Sequence, residues 1–181
     1  HGVTNEELNA AYACIANGGT YIKPKLYTKV VDHDGNVILD NTEPETKQVI
    51  KETTAWLLTD AMQDVVTQGT GASVNFGGMA IAGKTGTTSD YNDVWFSGYT
   101  PYYTCTTWAG YDNNAKLASG NGERNLAKRN EILPRSYGVQ PWPKSTKNCH
   151  PSPLRCQAVL FRQRYVPDPA SFRLQAYVMA H

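Results

Sequence analysis

Apolar positions recur at helical spacing in two stretches before residue 70. In the first, Thr4 and Glu7 have the spacing of a capping box, which starts a helix by satisfying its first backbone N–H groups. Residues 17–19, Asn-Gly-Gly, predict the end of this helix, because glycine readily adopts the left-handed conformation of a helix terminus. The second stretch, residues 51–68, predicts an amphipathic helix that ends at Gly69. Its predicted buried face comprises Leu57, Leu58, Ala61, Met62, Val65 and Val66.

Shorter apolar runs around these helices are typical of β-strands. Residues 34–35, Asp-Gly, predict a tight hairpin turn, because this pair accepts the positive φ angles that such a turn requires. Three runs at residues 81–87, 94–99 and 103–111 are joined by tight turns and predict an antiparallel meander. We therefore expect an α+β fold, in which helices flank an antiparallel sheet.

Charge and proline content change sharply near residue 124. Residues 1–123 carry seven lysines, no arginine and fourteen acidic residues, a net charge of −7. Residues 124–181 carry seven arginines, three lysines, two acidic residues and seven of the ten prolines, a net charge of +8. Within this part, residues 154–165 show weak helical periodicity and residues 170–180 are ambiguous, so we expect little independent structure.

The chain shows neither a membrane-spanning stretch nor a signal for secretion. It has no initiator methionine either, so we interpret it as an excerpt from a longer protein. The four cysteines are widely spaced, and Cys149-His150 with Cys156 lacks the spacing of a metal site. We expect neither a metal nor another cofactor.

The candidate chemistry lies in the stretch from Ala82 to Thr88. Lys84 is followed by three threonines, and an ammonium group with hydroxyls and backbone N–H groups suits a carboxylate or a developing oxyanion. The residues from Gly78 to Thr85 also fit the phosphate-binding loop pattern. That loop needs a helix starting at its lysine, whereas residues 86–92 have little helix propensity. The sequence therefore favours a carboxylate site over a nucleotide site.

With these residues in view, the first 128 positions resemble the C-terminal part of a penicillin-binding protein transpeptidase domain, of the bifunctional class that builds peptidoglycan. The resemblance rests on an ordered set of motifs rather than on a single one. The set comprises Asn9-Ala10-Ala11-Tyr12, Ala16-Asn17-Gly18-Gly19, Gly69-Thr70-Gly71, Ala82-Gly83-Lys84-Thr85-Gly86-Thr87-Thr88 and Asp93-Val94-Trp95-Phe96-Ser97-Gly98-Tyr99-Thr100-Pro101. The fold it implies is part of the serine β-lactamase/transpeptidase-like fold.

The resemblance implies a reaction in which an active-site serine is acylated by the D-Ala-D-Ala end of a peptidoglycan stem peptide. The acyl group is then transferred to an amine. Lys84 would supply positive potential at the catalytic site, and the Thr87 backbone N–H would form half of the oxyanion hole. The hydroxyls of Thr85 and Thr87, with Thr88 beside them, would bind the substrate carboxylate. Gly86 would leave room for the substrate backbone.

Two of the three motifs of that family are absent from their expected places. No lysine has a serine three positions before it, so the S-x-x-K nucleophile motif is missing. Ser73-Val74-Asn75 matches S-x-N, but it stands directly before the lysine strand rather than far upstream, and we interpret it as a coincidence. We expect the nucleophile to lie upstream of this chain and the chain alone to be inactive.

The resemblance predicts two segments with different roles. Residues 1–129 would be the C-terminal part of the transpeptidase domain, and residues 130–181 a disordered tail or the product of a shifted reading frame. The expected partners are stem peptides, β-lactams and the remainder of the parent protein, and the expected location is the extracytoplasmic face of a bacterial plasma membrane. Membrane attachment would come only from an N-terminal anchor outside the chain.

Two other interpretations stay open at this point. A D,D-carboxypeptidase or a serine β-lactamase shares the lysine strand, so either is an alternative to the transpeptidase. The second alternative is a non-catalytic binding module whose basic tail, with Trp142, Phe161 and Tyr165 among its arginines, holds an anionic polymer. We expect no nucleic-acid binding, because a disordered or artefactual tail explains the same composition.

Overall fold

The computed structural model describes residues 2–75 and 77–117, together with the backbone of residues 154–162 and 175–180. Helix α1 spans Asn5–Ala16, and both bonds of the predicted capping box between Thr4 and Glu7 are present. Helix α2 spans Glu52–Thr67. Both helices predicted from the apolar spacing are thus confirmed. No helix in these described ranges is long and apolar enough to cross a membrane.

Nine strands within the described residues form three antiparallel sheets. Two of the sheets are small pairs, β1 with β4 and β2 with β3, and the third has five strands in the order β5-β6-β7-β8-β9. The strands are β1 (Thr20–Ile22), β2 (Lys29–Val31), β3 (Val37–Asp40), β4 (Thr46–Gln48), β5 (Ala82–Thr87), β6 (Asp93–Tyr99), β7 (Tyr103–Tyr111), β8 (Leu154–Arg162) and β9 (Gln175–Ala180).

The predicted meander is confirmed as strands β5, β6 and β7, and the sheet extends further than expected. Strands β8 and β9 continue the sheet beyond β7. The helix suggested by the weak periodicity at residues 154–165 is therefore wrong for residues 154–162, which form β8. Within the predicted tail, 130–181, these two segments are strands rather than irregular chain. The remainder of the tail lies outside the described residues. The boundary at residue 129 stays a prediction.

The β2–β3 hairpin turns at the predicted Asp34-Gly35 pair, but residues 32–36 connect the strands and only Gly35 of the pair has a positive φ. Gly35 has a φ of +86°, and the Asp32 carboxylate accepts bonds from the backbone of Asp34 and from the backbone and side chain of Asn36. These bonds, led by those from Asn36, hold the pKa of Asp32 below its ordinary value. A single aspartate thus organises the whole turn.

Helix α2 buries only part of the predicted face, on which Met62 and Val66 are confirmed. Ala55, Met62 and Val66 are buried, whereas Leu57 and Leu58 are 61% and 42% exposed. Ala61 is exposed as well, so the predicted face is wrong for these three residues. Apolar residues surround most of this helix, and the sequence pattern therefore does not show which side meets the sheet.

Phe96 anchors the core beneath the lysine strand. Its ring is fully buried and packs with Val66, Val74 and Ile81 in one cluster. Gly83 stands close to this ring, because a Cβ atom there would lie 2.8 Å from Phe96 Cζ. The strand β5 is therefore seated directly on Phe96.

Helix α1 is fixed to the same sheet by a chain of buried hydroxyl and amide groups. Thr106 donates to the side-chain oxygen of Asn9 (3.1 Å), so Ser97 must be the donor in its own 3.0 Å bond with Thr106. All three side chains are almost completely buried. Since Ser97 lies opposite Lys84 in the ladder, these three bonded side chains are on the sheet face that carries Lys84.

Candidate active site

Strand β5 forms one edge of the five-stranded sheet as far as the structure describes it. Just past its end, the Thr88 N–H donates to the Asp93 carbonyl at 3.1 Å, which makes these two residues a hydrogen-bonded pair. Such pairs alternate with non-bonded pairs along an antiparallel ladder, so Thr87 with Val94 and Thr85 with Phe96 are of the non-bonded kind. The backbone N–H and C=O groups of Thr85 and Thr87 therefore point away from β6, toward the open edge.

Lys84 contributes an accessible cation to this edge. Its side chain is exposed, and Nζ donates to the carbonyl oxygen of Thr85 at 2.8 Å. Among the described residues, no carboxylate lies within ion-pair distance of this ammonium group. Its positive charge is thus held beside the edge groups of β5 without being neutralised there, which favours an anionic ligand.

Thr85 is almost buried, with 6% of its surface exposed. Its hydroxyl is hydrogen-bonded to that of Thr70, with the two oxygens 2.8 Å apart. Thr70 belongs to the loop after α2, and sequence reasoning assigned it no role at the site. The only signal was the position of Gly69-Thr70-Gly71 within the ordered set of motifs, which says nothing about contact with Thr85.

Gly86 and Thr87 complete the edge strand and are both partly exposed. A Cβ atom on Gly86 would have Trp95 Cβ as its nearest neighbour, at 3.4 Å, so the strand is uncrowded at this point. Thr87 lies two residues after Thr85, and its side chain therefore projects from the same face of the strand. The side chains of Thr85 and Thr87 thus share one face of the strand, whereas that of Lys84 projects from the other, and the strand edge is what the four residues Lys84 to Thr87 have in common.

Thr88 lies just after the strand, and its hydroxyl organises the turn between β5 and β6. The hydroxyl oxygen accepts the backbone N–H groups of Asn92 (3.1 Å) and Asp93 (3.0 Å). In the same turn, Tyr91 has a φ of +59°, an uncommon conformation for a residue with a side chain. The predicted role of Thr88 in binding substrate stays a prediction, but the structure gives its side chain a definite role in closing the hairpin.

The two rival motifs lie in unsuitable surroundings. Lys84 and Thr85 are inside strand β5 and not at the start of a helix, so the phosphate-binding loop lacks its structural context. Ser73 is exposed in a 3₁₀ turn, Ala72–Val74, and the side chain of Asn75 accepts a bond from the Gly77 N–H. No cluster of three or more potential metal ligands occurs among the described residues.

Comparison with known proteins agrees with this geometry. The sequence pattern of the penicillin binding protein transpeptidase domain family matches residues 1–136. The chain is 42% identical over 123 residues to penicillin-binding protein 1A of Clostridium acetobutylicum, which covers 67% of this chain and 15% of that protein. The chain therefore spans a small part of the length of this curated relative.

Solved structures show the same fold. The D,D-transpeptidase domain of a peptidoglycan glycosyltransferase from Eggerthella lenta superimposes with a TM-score of 0.59 at 27% identity, over 77% of this chain and 33% of that one. The penicillin-binding protein PonA1 from Mycobacterium tuberculosis gives a TM-score of 0.61 at 26% identity, over 77% and 39% of the two chains. The predicted α+β fold is confirmed as that of the transpeptidase domains.

Proposed function

The chain belongs to the penicillin-binding protein transpeptidase domain family, and we propose that it supplies the lysine-strand part of a peptidoglycan D,D-transpeptidase. The observation that carries the proposal is the open edge of β5, toward which the backbone groups of Thr85 and Thr87 point and where the Lys84 ammonium group donates to the Thr85 carbonyl. An edge strand of this kind can pair with an extended peptide through its backbone. The proposed substrate is the D-Ala-D-Ala end of a stem peptide.

The proposed reaction has two steps. A serine hydroxyl upstream of this chain attacks the carbonyl carbon between the two D-alanines, an ester forms, and the terminal D-alanine leaves as its amine accepts a proton. An amine of a second stem peptide then attacks the ester, which restores the serine hydroxyl and forms the cross-link. In both steps negative charge develops on the carbonyl oxygen, and the Thr87 N–H is the donor from this chain that faces it.

The remaining groups of the edge have supporting roles in this proposal. The hydroxyls of Thr85 and Thr87 bind the terminal carboxylate, and Lys84 supplies the positive potential that favours both this anion and the developing oxyanion. Gly86 leaves space for the substrate backbone. Thr88 acts through the turn that ends the strand.

The whole-protein context belongs to the proposal as well. The partners are stem peptides, β-lactams that imitate them, and the remainder of the parent protein, which contributes the nucleophile. Without it, this chain is inactive. The parent protein works at the extracytoplasmic face of a bacterial plasma membrane, to which an N-terminal anchor outside this chain attaches it.

Covalent labelling by a fluorescent penicillin tests the proposal. We compare this chain with an extended protein, defined as the same chain joined to the upstream part of its transpeptidase domain. We expect only the extended protein to be labelled, and we expect Lys84→Met to slow its labelling. Lys29→Met, which removes the same charge from the separate β2–β3 sheet, is the matched control and should label normally. An extended protein that folds but is not labelled would refute the proposed function.

A further inference from the structure

We propose that Thr70 is a positioning residue of this site, and this inference rests on the proposed function. Its hydroxyl fixes that of Thr85 so that the Thr85 O–H is aimed at the carboxylate of the substrate or the β-lactam. The observation behind it is the 2.8 Å bond between the two hydroxyl oxygens, one on the edge strand and one on the loop after α2.

Together with the proposed carboxylate contact, the number of protons fixes the direction of this bond. Each hydroxyl has one proton to donate and can accept at the same oxygen. The mutual bond uses one of the two protons and leaves the other for a further acceptor. If Thr85 donates to a carboxylate, then Thr70 must be the donor in the mutual bond. A hydroxyl that accepts one bond is polarised and becomes a better donor in the next, which strengthens the contact with the anion.

The loop that carries Thr70 is held in place by its two glycines. A Cβ on Gly69 would lie 2.8 Å from Val65 Cα, and a Cβ on Gly71 would lie 3.2 Å from the Val65 carbonyl oxygen. The Gly71 N–H donates to that same oxygen at 2.9 Å. The loop therefore packs closely against the last turn of α2, where a side chain at either glycine would force it away.

The other end of the loop is fixed by the core. The 3₁₀ turn that follows ends at Val74, which is buried in one cluster with Phe96. Phe96 lies directly opposite Thr85 in the ladder, so the loop and the edge strand are seated on the same ring. Such a support gives the Thr70 hydroxyl a definite position relative to Thr85, as a positioning role requires.

The test uses the extended protein and two ligands, a penicillin with its free carboxylate and the same penicillin as its methyl ester. Thr70→Val removes the hydroxyl and keeps the shape of the side chain, and Thr70→Ser restores the hydroxyl. We expect Thr70→Val to lower the acylation rate constant for the free acid by up to about tenfold, the upper range for the loss of one neutral hydrogen bond. The rate for the methyl ester should change little, and Thr70→Ser should react like the wild type.

Thr85→Val supplies the second comparison. We expect it to lower the free-acid rate at least as much as Thr70→Val, and the double variant to be no slower than Thr85→Val alone, because Thr70 acts only through the Thr85 hydroxyl. Equal losses for both ligands, or a larger loss in Thr70→Val than in Thr85→Val, would overturn the inference while the proposed function stands. A folded wild-type extended protein that neither ligand acylates would overturn both.

Discussion

The two glycines of β5 should respond in opposite ways to the same added methyl group. At Gly83, a Cβ would lie 2.8 Å from Phe96 Cζ, 3.0 Å from the Ser97 carbonyl oxygen and 3.2 Å from Gly98 Cα. Two of these neighbours are backbone atoms and the third is a fully buried ring, so none can move cheaply. Overpacking of this kind costs about 1–3 kcal/mol, and we expect Gly83→Ala to lower the free energy of unfolding by that amount.

At Gly86 the structure leaves room for the methyl group. Its nearest neighbour is Trp95 Cβ at 3.4 Å, and alanine is favoured over glycine within a strand by roughly 0.5–1 kcal/mol. The free energy of unfolding of Gly86→Ala should therefore stay within about 1 kcal/mol of the wild-type value. A bound peptide backbone would meet the new methyl group, however, and a small misplacement of substrate can cost on the order of a hundredfold in rate.

Two measurements on the extended protein separate these effects. Guanidinium unfolding gives the free energy of unfolding, and fluorescent penicillin gives the acylation rate constant. We expect Gly83→Ala to lower the free energy of unfolding. We expect Gly86→Ala to lower the acylation rate constant at least tenfold, because the added methyl group would misplace the substrate. The reasoning would be refuted if Gly86→Ala lost as much stability as Gly83→Ala, or if it were acylated at the wild-type rate.

Two further predictions concern buried groups. Burial raises the pKa of Tyr99 to about 12, and its bond with Thr59 opposes this shift to a smaller extent. The stability that neutral Tyr99 contributes is therefore complete below pH 10 and is lost as the pH rises from 10 toward 12. Unfolding curves of the wild type and Tyr99→Phe should therefore converge over that window, and a constant difference would contradict this. Burial also raises the pKa of the Cys105 thiol to about 12, so iodoacetamide at pH 8 should leave Cys105 unmodified in the folded protein and alkylate it in guanidinium, as peptide mass spectrometry would show. Equal modification in both states would contradict the burial.

The elements that the sequence predicted correctly depend on residues close together in the chain. The Thr4–Glu7 capping box and the turn at Gly35 are complete within a few residues, and the meander follows from short runs separated by tight turns. Each of these signals works through local backbone conformation, which tertiary contacts here reinforce. The turn between β5 and β6 is also local, because the Thr88 hydroxyl accepts bonds from the backbone of Asn92 and Asp93 within the same turn.

The features that the sequence did not reveal depend on distant contacts. The Thr70–Thr85 bond joins positions 15 residues apart, and the Thr106–Asn9 bond joins positions 97 residues apart. The sequence gives no signal for either bond, because hydroxyl and amide side chains are equally common on an exposed surface and follow no periodic pattern. The buried face of α2 was predicted only in part for a related reason, since apolar residues on several sides of a helix do not show which side the sheet covers.

An unpaired edge strand is normally a hazard, because its free N–H and C=O groups can recruit another chain. No other described strand pairs with the edge groups of Thr85 and Thr87, and the Thr85 carbonyl accepts a bond from Lys84, while Gly83 seats one face of β5 on the buried Phe96 ring. The Lys84 charge beside them disfavours pairing with another lysine-bearing edge and favours an extended ligand that ends in an anion. The same open backbone that would make this edge prone to aggregation is the surface with which the proposed substrate, a stem peptide, would pair.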